Sequence, residues 1–350
     1  MMKVVSDRFD KFVLSKFAKV SKLAQSYATD APMWSFIFFD KKNQRILYVG
    51  WKFQMEVEYP VKEEFIVNFD RLRAAIKTCK RPTIRTTKHH VIVEEDSIKI
   101  KLKRLDLDYS NYIIPEPEGL IHEEVREGLI NDIKFCSLTA AQDRMDYVKY
   151  GVILGNDMIC GMDSKLAVSV IFLDKPLLAH PVLLHLPWCK ILQDLGEIET
   201  IAYYDPEQQY AILFITTKDN FKLVVPTLKV VPNPSIVPYL KTLEAHVTLR
   251  DINLKILKKL EITSDSAYKF ITAFSKEGRI YLESSSKAKG KTVLDLCEGD
   301  MGDTSVTLSL QRLKDLVSIN NYLNIDLDNM AAFITVRDYT EDYIFAFSLG

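Results

Sequence analysis

The sequence has no apolar run long enough to cross a bilayer, which takes about 20 consecutive residues. No basic and then apolar signal segment opens it. Its five cysteines are scattered and none forms a Cys-x-x-Cys pair, so we interpret them as reduced thiols, not as disulfides or zinc ligands. These absences predict a cytoplasmic protein that makes no contact with a membrane.

Recognisable catalytic motifs are also missing. Residues 290–292 read Gly-Lys-Thr, but Ser285 stands where a phosphate-binding loop needs its first glycine. His89 and His90 are adjacent, so in a strand they would face opposite sides and could not share a metal ion. No Gly-x-Ser-x-Gly motif and no catalytic cysteine–histidine signature is present. We therefore expect no cofactor, no metal and no catalytic activity.

Length limits the number of domains, and the charge balance bears on whether the protein binds nucleic acid. A chain of 350 residues is too long for one ordinary core and suits two or three domains. The formal net charge is only -1, from 46 basic and 47 acidic residues. A basic surface on such a near-neutral body can still bind phosphates, so the positions of the lysines decide whether nucleic acid is a partner.

The order of predicted elements repeats three times along the chain. Each repeat reads as a helix, several strands, a strand that runs directly into a second helix, and further strands. The first helices are predicted over 8–25, 135–147 and 249–262, and the second over 71–81, 187–195 and 309–319. Asp70 is the predicted N-cap of the helix over 71–81.

Two polar or proline-rich segments, 114–128 and 230–238, are predicted to be linkers between the repeats. The repeats therefore predict an α+β fold of three similar domains, over 1–118, 129–232 and 240–350. About 120 residues separate the second helices, which is an ordinary domain size.

Four of the six predicted helices carry mainly cations on the side away from their apolar face. One charged helix face is usually a solvated surface, but its recurrence favours a surface that contacts phosphates. The middle repeat fits less well, because Asp143, Asp146 and Asp194 accompany its cations. The candidate DNA-contacting residues are Lys11, Lys16, Lys19, Lys22, Arg73, Lys77, Lys80, Arg81, Lys149, Lys190, Lys255, Lys258, Lys259, Arg312 and Lys314.

One stretch, 134–171, resembles a known family. A helix is followed by a Gly-Val strand, a turn, a second strand, an Asp-x-Lys-Leu-Ala segment and a third strand. The residues that carry the resemblance are Arg144, Gly151, Asp163, Lys165, Leu166 and Ala167. The order is similar to the middle domain of the bacterial β sliding clamp family, whose segment ends Asp-Gly-x-Arg-Leu-Ala. The connection here is one residue shorter, and Lys165 replaces the arginine, as in a divergent clamp such as one of viral origin.

The resemblance implies a fold and a function. Members of the family have three similar domains, and two subunits join head to tail into a ring lined by helices and walled by sheets. It implies that a homodimer encircles duplex DNA of any sequence and tethers a DNA polymerase. A clamp-loader ATPase would open the ring, in the cytoplasm of a bacterium or of an infected cell.

The family also binds partner peptides in a pocket between its middle and last domains. Carried over by resemblance, that pocket falls on Met162, Lys165, Leu166, Pro232 or Pro234, Ile344 and Ala346. Two alternatives stay open. One is a clamp-like structural protein that does not encircle DNA. The other is a metal-dependent nuclease that uses the carboxylates of Asp143, Asp146 and Asp163.

Overall fold

The computed structural model describes residues 3–6, 11–25, 36–50, 53–108, 113–123, 125–141, 149–163, 167–178, 180–204, 210–230, 236–264, 269–338 and 341–349. The chain forms two compact units, Met1–Lys134 with Val182–Lys229 and Phe135–Pro181 with Val230–Gly350, called unit 1 and unit 2. No helix of the described residues is long and apolar enough to cross a membrane.

Short helices alternate with many strands in the described residues. The helices are α1 (Lys11–Gln25), α2 (Phe69–Lys77), α3 (Leu129–Ser137), α4 (Leu186–Leu195), α5 (Ile236–Lys241), α6 (Leu254–Thr263) and α7 (Leu310–Val317). The strands are β1 (Lys3–Ser6), β2 (Phe36–Asp40), β3 (Arg45–Gly50), β4 (Phe53–Glu58), β5 (Phe65–Asn68), β6 (Thr83–Thr86), β7 (His90–Glu95), β8 (Ile98–Lys103), β9 (Ile121–Glu123), β10 (Gly151–Leu154), β11 (Met158–Met162), β12 (Val168–Phe172), β13 (Val182–His185), β14 (Ile198–Tyr204), β15 (Tyr210–Thr217), β16 (Phe221–Lys229), β17 (Val247–Leu249), β18 (Phe270–Lys276), β19 (Arg279–Ser286), β20 (Gly290–Glu298), β21 (Ser305–Ser309), β22 (Leu323–Asp326), β23 (Ala331–Asp338) and β24 (Glu341–Ser348). The predicted α+β class is confirmed.

Unit 1 contains two antiparallel sheets. One has the order β1-β6-β7-β8, and the other the order β5-β2-β3-β4-β16-β15-β14-β9, with β13 also paired to β16. The β4–β16 pairing joins a strand of predicted domain 1 to a strand of predicted domain 2. A buried aromatic cluster packs the helices on this sheet. Tyr48 lies 5.3 Å from Phe69 of α2 and 6.3 Å from Phe17 of α1, measured between ring centroids.

Unit 2 repeats this arrangement. Its sheets have the orders β20-β19-β18-β21 and β17-β22-β23-β24-β12-β11-β10, and the β12–β24 pairing joins predicted domains 2 and 3. The last turn of α3 lies close against β11. A side chain at Gly161 would have its Cβ 1.8 Å from the carbonyl oxygen of Cys136, so only glycine fits there.

A strand runs directly into a helix at three places, as the sequence pattern predicts. The junctions are β5 to α2, β13 to α4 and β21 to α7. Asn68 caps α2 by accepting a hydrogen bond from the N–H of Arg71, so the prediction of Asp70 as the cap was wrong. Ser309 caps α7 in the same way, whereas α4 has a proline in its first turn.

Two hairpin loops have the same internal structure. In the β2–β3 loop, Asp40 accepts hydrogen bonds from the backbone and side-chain N–H groups of Asn43, at 3.0 and 2.7 Å. In the β22–β23 loop, Asp326 accepts the same two from Asn329, both at 2.8 Å. The residue after each asparagine, Gln44 or Met330, has a positive φ near 50°. The recurrence supports an internal repeat, and the three domain boundaries stay a prediction.

Several boundaries differ from the prediction. α3 covers 129–137, whereas a helix was predicted over 135–147, and residues 142–148 lie outside the described part of the chain. The predicted linker 114–128 contains β9, which pairs with β14, and the second predicted linker overlaps α5. α6 starts after Asn253, whose side chain caps it, because β17 occupies residues 247–249. β1 and β17 were not predicted.

The repeated hairpin predicts a stability effect. The fully buried carboxylate of Asp326 accepts hydrogen bonds from the N–H groups of Glu244, Asp328 and Asn329. Asp326→Ala leaves these donors unpaired, so we expect the free energy of unfolding to fall by about 2–4 kcal/mol at pH 7. Asp328→Ala, at a side chain that is 86% exposed, is the matched control and should leave it nearly unchanged. Denaturant titration measures both.

The contribution of Asp326 to the free energy of unfolding should depend on pH. Burial raises the pKa of Asp326, but the hydrogen bonds from Asn329 and Glu244 outweigh it and hold the pKa below its ordinary value. A carboxyl group with a lowered folded-state pKa stabilises the fold above its unfolded pKa, about 3.9, and loses that contribution as the pH falls further. The difference between wild type and Asp326→Ala should therefore shrink below about pH 4. A difference that is constant between pH 7 and pH 3 would contradict this account.

Candidate functional site

Three of the predicted cations surround one groove in unit 1. The groove, of about 330 Å³, lies between α1 and α2. Leu14, Ala18 and Ile76 form its apolar floor, and Lys19, Arg73 and Lys77 stand at its rim. The amphipathic patterns of both helices produce this arrangement, because each turns its apolar side to the sheet and its cations outward.

Two lysines of α1 are bound to the end of α4. The ammonium of Lys16 donates to the carbonyl oxygen of Asp194 at 2.5 Å, and that of Lys19 to its carboxylate at 2.7 Å. Carbonyls in the last turn of a helix lack partners within the helix, and a cation there also complements the helix dipole. Lys16 is thus half-buried in a structural contact, while Lys19 stays 52% exposed.

The remaining candidates of unit 1 are dispersed. Lys80 and Arg81 lie beyond the end of α2, in the connection to β6, where their backbone N–H groups donate to Glu95. Their side chains are exposed, as is that of Lys190 on α4. Lys11 and Lys22 belong to α1, but their side chains lie outside the described part of the structure.

In unit 2 the cations of α6 form one exposed face. Lys255, Lys258 and Lys259 are all exposed, and no ion pair involves them among the described residues. The exposed apolar side chains of Leu254 and Ile262 lie at the two ends of the same helix, 51% and 71% exposed. The face therefore presents charge that other described groups of the protein do not neutralise.

The cations of α7 are paired instead. Lys314 donates to Glu261 at 2.7 Å, and Lys269 donates to the other oxygen of that carboxylate at 2.7 Å. The hydrogen bonds from Lys269 and Lys314 lower the pKa of Glu261 to about 2. Arg312 forms an ion pair with Asp163. These contacts reduce the charge that α7 can offer to a ligand.

The residues of the nuclease alternative are not brought together by the described structure. Asp143 and Asp146 lie outside the described residues, and Asp163 is bound to Arg312. Lys149 follows the same undescribed segment and is half-buried just before β10. Within the described ranges, no group of three or more histidine, cysteine or acidic side chains could hold a metal ion. Residues 290–292 form the start of β20 in a hairpin, not a strand-to-helix loop.

Three of the predicted pocket residues lie on one sheet of unit 2. Met162 of β11 is opposite Val168 of β12, which is opposite Ala346 of β24. Opposed residues of antiparallel strands share a face, so Met162 and Ala346 lie on the same face about 10 Å apart. Ile344 lies on that face too, two residues from Ala346. Met162 is half-buried, whereas Ile344 and Ala346 are only 8% and 2% exposed. The other predicted pocket residues, Lys165, Leu166, Pro232 and Pro234, lie outside the described residues.

Comparisons with known proteins assign the fold. No family model and no curated protein matches the sequence. The structure is similar to the DNA polymerase III β subunit of Thermotoga maritima, with TM-score 0.77, 15% identity and coverage of 100% of this chain and 99% of that one. It is similar to the β subunit of Pseudomonas aeruginosa, with TM-score 0.74, 13% identity and coverage of 100% of both chains. It is also similar to the sliding clamp of Bacillus subtilis, with TM-score 0.75, 11% identity and coverage of 100% of this chain and 99% of that one. The whole chain therefore has the fold of the bacterial β sliding clamps.

Proposed function

We propose that the protein is a DNA sliding clamp, which closes with a second copy around duplex DNA and tethers a DNA polymerase. The observation that carries this proposal is that the clamp fold covers the entire chain and the entire length of the clamps. Enclosure would keep a bound polymerase at a high effective concentration near its template, without catalysis by the clamp itself. A clamp-loader ATPase would be needed to open the ring.

The cations of α1, α2 and α6 are the proposed contacts to DNA. Lysines on flexible stems meet phosphates without reading base edges, so they would hold a duplex in any register and let it slide. The exposed face of α6 supports this role, and so do Arg73 and Lys77 at the groove rim, whereas Lys16 and Lys19 of α1 are already bound to Asp194. Arg312 and Lys314 are less suited, since described carboxylates already pair with them.

Self-association is proposed through two sheet edges. In the described structure β8 and β20 each pair with one neighbouring strand only, and they belong to different units. Each edge exposes an apolar residue, Ile98 at 39% and Val293 at 43%. β8 carries only lysines as charged residues, whereas β20 carries Asp295 and Glu298 against one lysine, Lys291, so the net charges of the two strands are opposite. Such edges attract strands of another chain, and a head-to-tail contact between unlike edges can close into a ring.

The face formed by β11, β12 and β24 is the proposed partner site. Half-buried Met162 would contact an extended peptide with aliphatic or aromatic anchors, whereas Ile344 and Ala346, 8% and 2% exposed, would support it from within the core. Among the similar structures, a clamp of Pseudomonas aeruginosa is bound to griselimycin. We propose that this molecule also binds the present chain at the hairpin between β11 and β12.

The two alternative functions predict different experimental results. A clamp-like protein that does not encircle DNA would be retained equally on circular and linear duplexes. A nuclease would require a divalent metal and lose activity in Asp143→Asn or Asp146→Asn. The ion pair of Asp163 with Arg312 disfavours the nuclease, because it occupies the carboxylate that a metal would need.

The contact with DNA can be tested by reversing the charges of α6. The variant Lys255→Glu, Lys258→Glu and Lys259→Glu should bind a short fluorescent duplex more weakly. Its slope of log affinity against log salt should be shallower by up to about 0.9 for each lost phosphate contact. The control makes the same charge change at three exposed lysines away from the helix faces of interest, Lys175, Lys241 and Lys276. Equal losses in both triple variants would indicate that net charge, not the α6 face, controls binding.

The ring can be tested by the mass in solution. Light scattering of the wild type should give twice the 40.2 kDa chain mass over a range of concentrations. Val293→Lys places an unpaired charge in the proposed edge contact, so we expect a monomer. Ser305→Lys, at an exposed position on the opposite edge of the same sheet, is the matched control and should stay dimeric. If Val293→Lys remains dimeric, the copies join elsewhere.

The partner site can be tested by titrating griselimycin. Leu166→Lys introduces a charge at the proposed apolar anchor, and we expect the affinity to fall at least about tenfold relative to the wild type. Phe270→Lys, at an apolar residue that is 50% exposed on β18 of the other sheet, is the control for a general effect of added charge. Unchanged binding by Leu166→Lys would exclude the β11–β12 hairpin as the site.

A further inference from the structure

Arg312 connects three separate segments of unit 2. Its guanidinium donates to the carboxylate of Asp163, to the carbonyl oxygen of Leu138 at 2.8 Å and to Asp315 at 3.4 Å. The side chains of Arg312 and Asp163 are only 18% and 9% exposed. The guanidinium of Arg312 is thus mostly buried in contacts within the protein, although the residue belongs to the first turn of a helix predicted to contact DNA.

Asp163 closes the hairpin that carries two of the predicted pocket residues. Its backbone N–H donates to the carbonyl oxygen of Ala167 at 3.0 Å, and its carboxylate accepts from the N–H of Ala167 at 3.0 Å. These bonds fix the base of the connection between β11 and β12. Lys165 and Leu166 belong to that connection, and Met162 immediately precedes it. The orientation of the Asp163 carboxylate therefore bears directly on the pocket.

The contact with Leu138 ties the same hairpin to the end of α3. Leu138 follows the last residue of that helix, where carbonyls have no partner within the helix. The next residue, Thr139, donates from its hydroxyl to the carbonyl oxygen of Gly161 at 2.8 Å, and the same hydroxyl oxygen lies 3.0 Å from the hydroxyl of Ser169, from which it can accept. Arg312 and Thr139 thus hold the hairpin from two sides, one at its base and one along its strands.

We propose that Arg312 is a positioning residue for the partner site and does not contact DNA. It holds the carboxylate of Asp163, whose hydrogen bonds with Ala167 join the end of β11 to the start of β12. An arginine suits this position because its planar fork reaches a carboxylate and a carbonyl together, which the single ammonium of a lysine cannot do in the same geometry. The consequence for peptide binding rests on the proposed function of the hairpin, whereas the positioning of the hairpin does not.

The test compares Arg312→Gln, Arg312→Lys and the double variant Asp163→Asn with Arg312→Gln. Hydrogen exchange is measured on the peptide that covers 158–172, with the β22–β23 hairpin as the internal reference. In Arg312→Gln we expect amide exchange in the β11–β12 hairpin to be at least about tenfold faster, and the reference to be unchanged. Arg312→Lys should not restore the wild-type rate. The double variant removes both charges of the Arg312–Asp163 pair, so it stays informative if the single variant, which leaves Asp163 charged, does not fold.

The same variants separate the two roles of Arg312. The slope of log affinity for duplex DNA against log salt should be unchanged in Arg312→Gln, whereas loss of one phosphate contact would reduce it by about 0.9. The griselimycin affinity of Arg312→Gln should fall about tenfold, because the site is no longer held in its binding conformation. A reduced salt slope, or unchanged exchange in the hairpin, would overturn the proposal.

The outcome for Leu166→Lys shows which idea has failed. If Leu166→Lys binds griselimycin normally, the proposed pocket is wrong, and the exchange and salt measurements alone decide the role of Arg312. If Leu166→Lys loses binding but Arg312→Gln keeps both its affinity and its exchange rates, the pocket stands and only the role of Arg312 is wrong.

Discussion

Two ladders of backbone hydrogen bonds, β4 with β16 and β12 with β24, constrain the rest of the structure. Each joins strands of two different predicted domains within a single compact unit. Register in such ladders is rigid, because a slip of one residue would turn every side chain to the other face of the sheet. Neighbouring predicted domains in a unit therefore cannot rotate apart without breaking a sheet. On the proposed function, a ring would open more readily at a contact between copies than at either ladder.

The helix cations are divided between two uses. Lys16, Lys19, Arg312 and Lys314 are bound to carbonyls or carboxylates of distant segments, whereas the lysines of α6 face solvent. Lys16 and Lys19 connect predicted domains 1 and 2 in unit 1, and Arg312 connects predicted domains 2 and 3 in unit 2. The same boundaries are thus held twice, by strand pairing in the sheet and by ionic contacts between helices. A helical wheel drawn from the sequence places cations bound to distant segments and cations that face solvent on the same side of the helix. It therefore does not distinguish between them.

The elements with a clear local signal could be predicted from the sequence. The three junctions of strand and helix follow from a change in hydrophobic period, which needs no knowledge of tertiary contacts. β1, β9 and β17 have three or four residues each and exist only through their partner strands, so their own sequence carries little signal. The ion partners of Lys19 and Arg312 lie 175 and 149 residues away, beyond the reach of any local pattern. The cations of the candidate site could therefore be listed from the sequence, whereas the ion partners of Lys19 and Arg312 could not.

On the proposed function, the pairing of Arg312 and Lys314 suits a protein that holds DNA by enclosure. A protein that relies on electrostatic affinity gains from every accessible cation, because each phosphate contact releases counterions. A closed ring does not need that affinity to stay on its template, and a strong hold on the phosphates would slow its movement along the duplex. Carboxylates beside Arg312 and Lys314 reduce the attraction while they stabilise the fold. On the proposed function, a near-neutral chain whose α7 cations already pair with carboxylates is thus better matched to sliding than to tight binding.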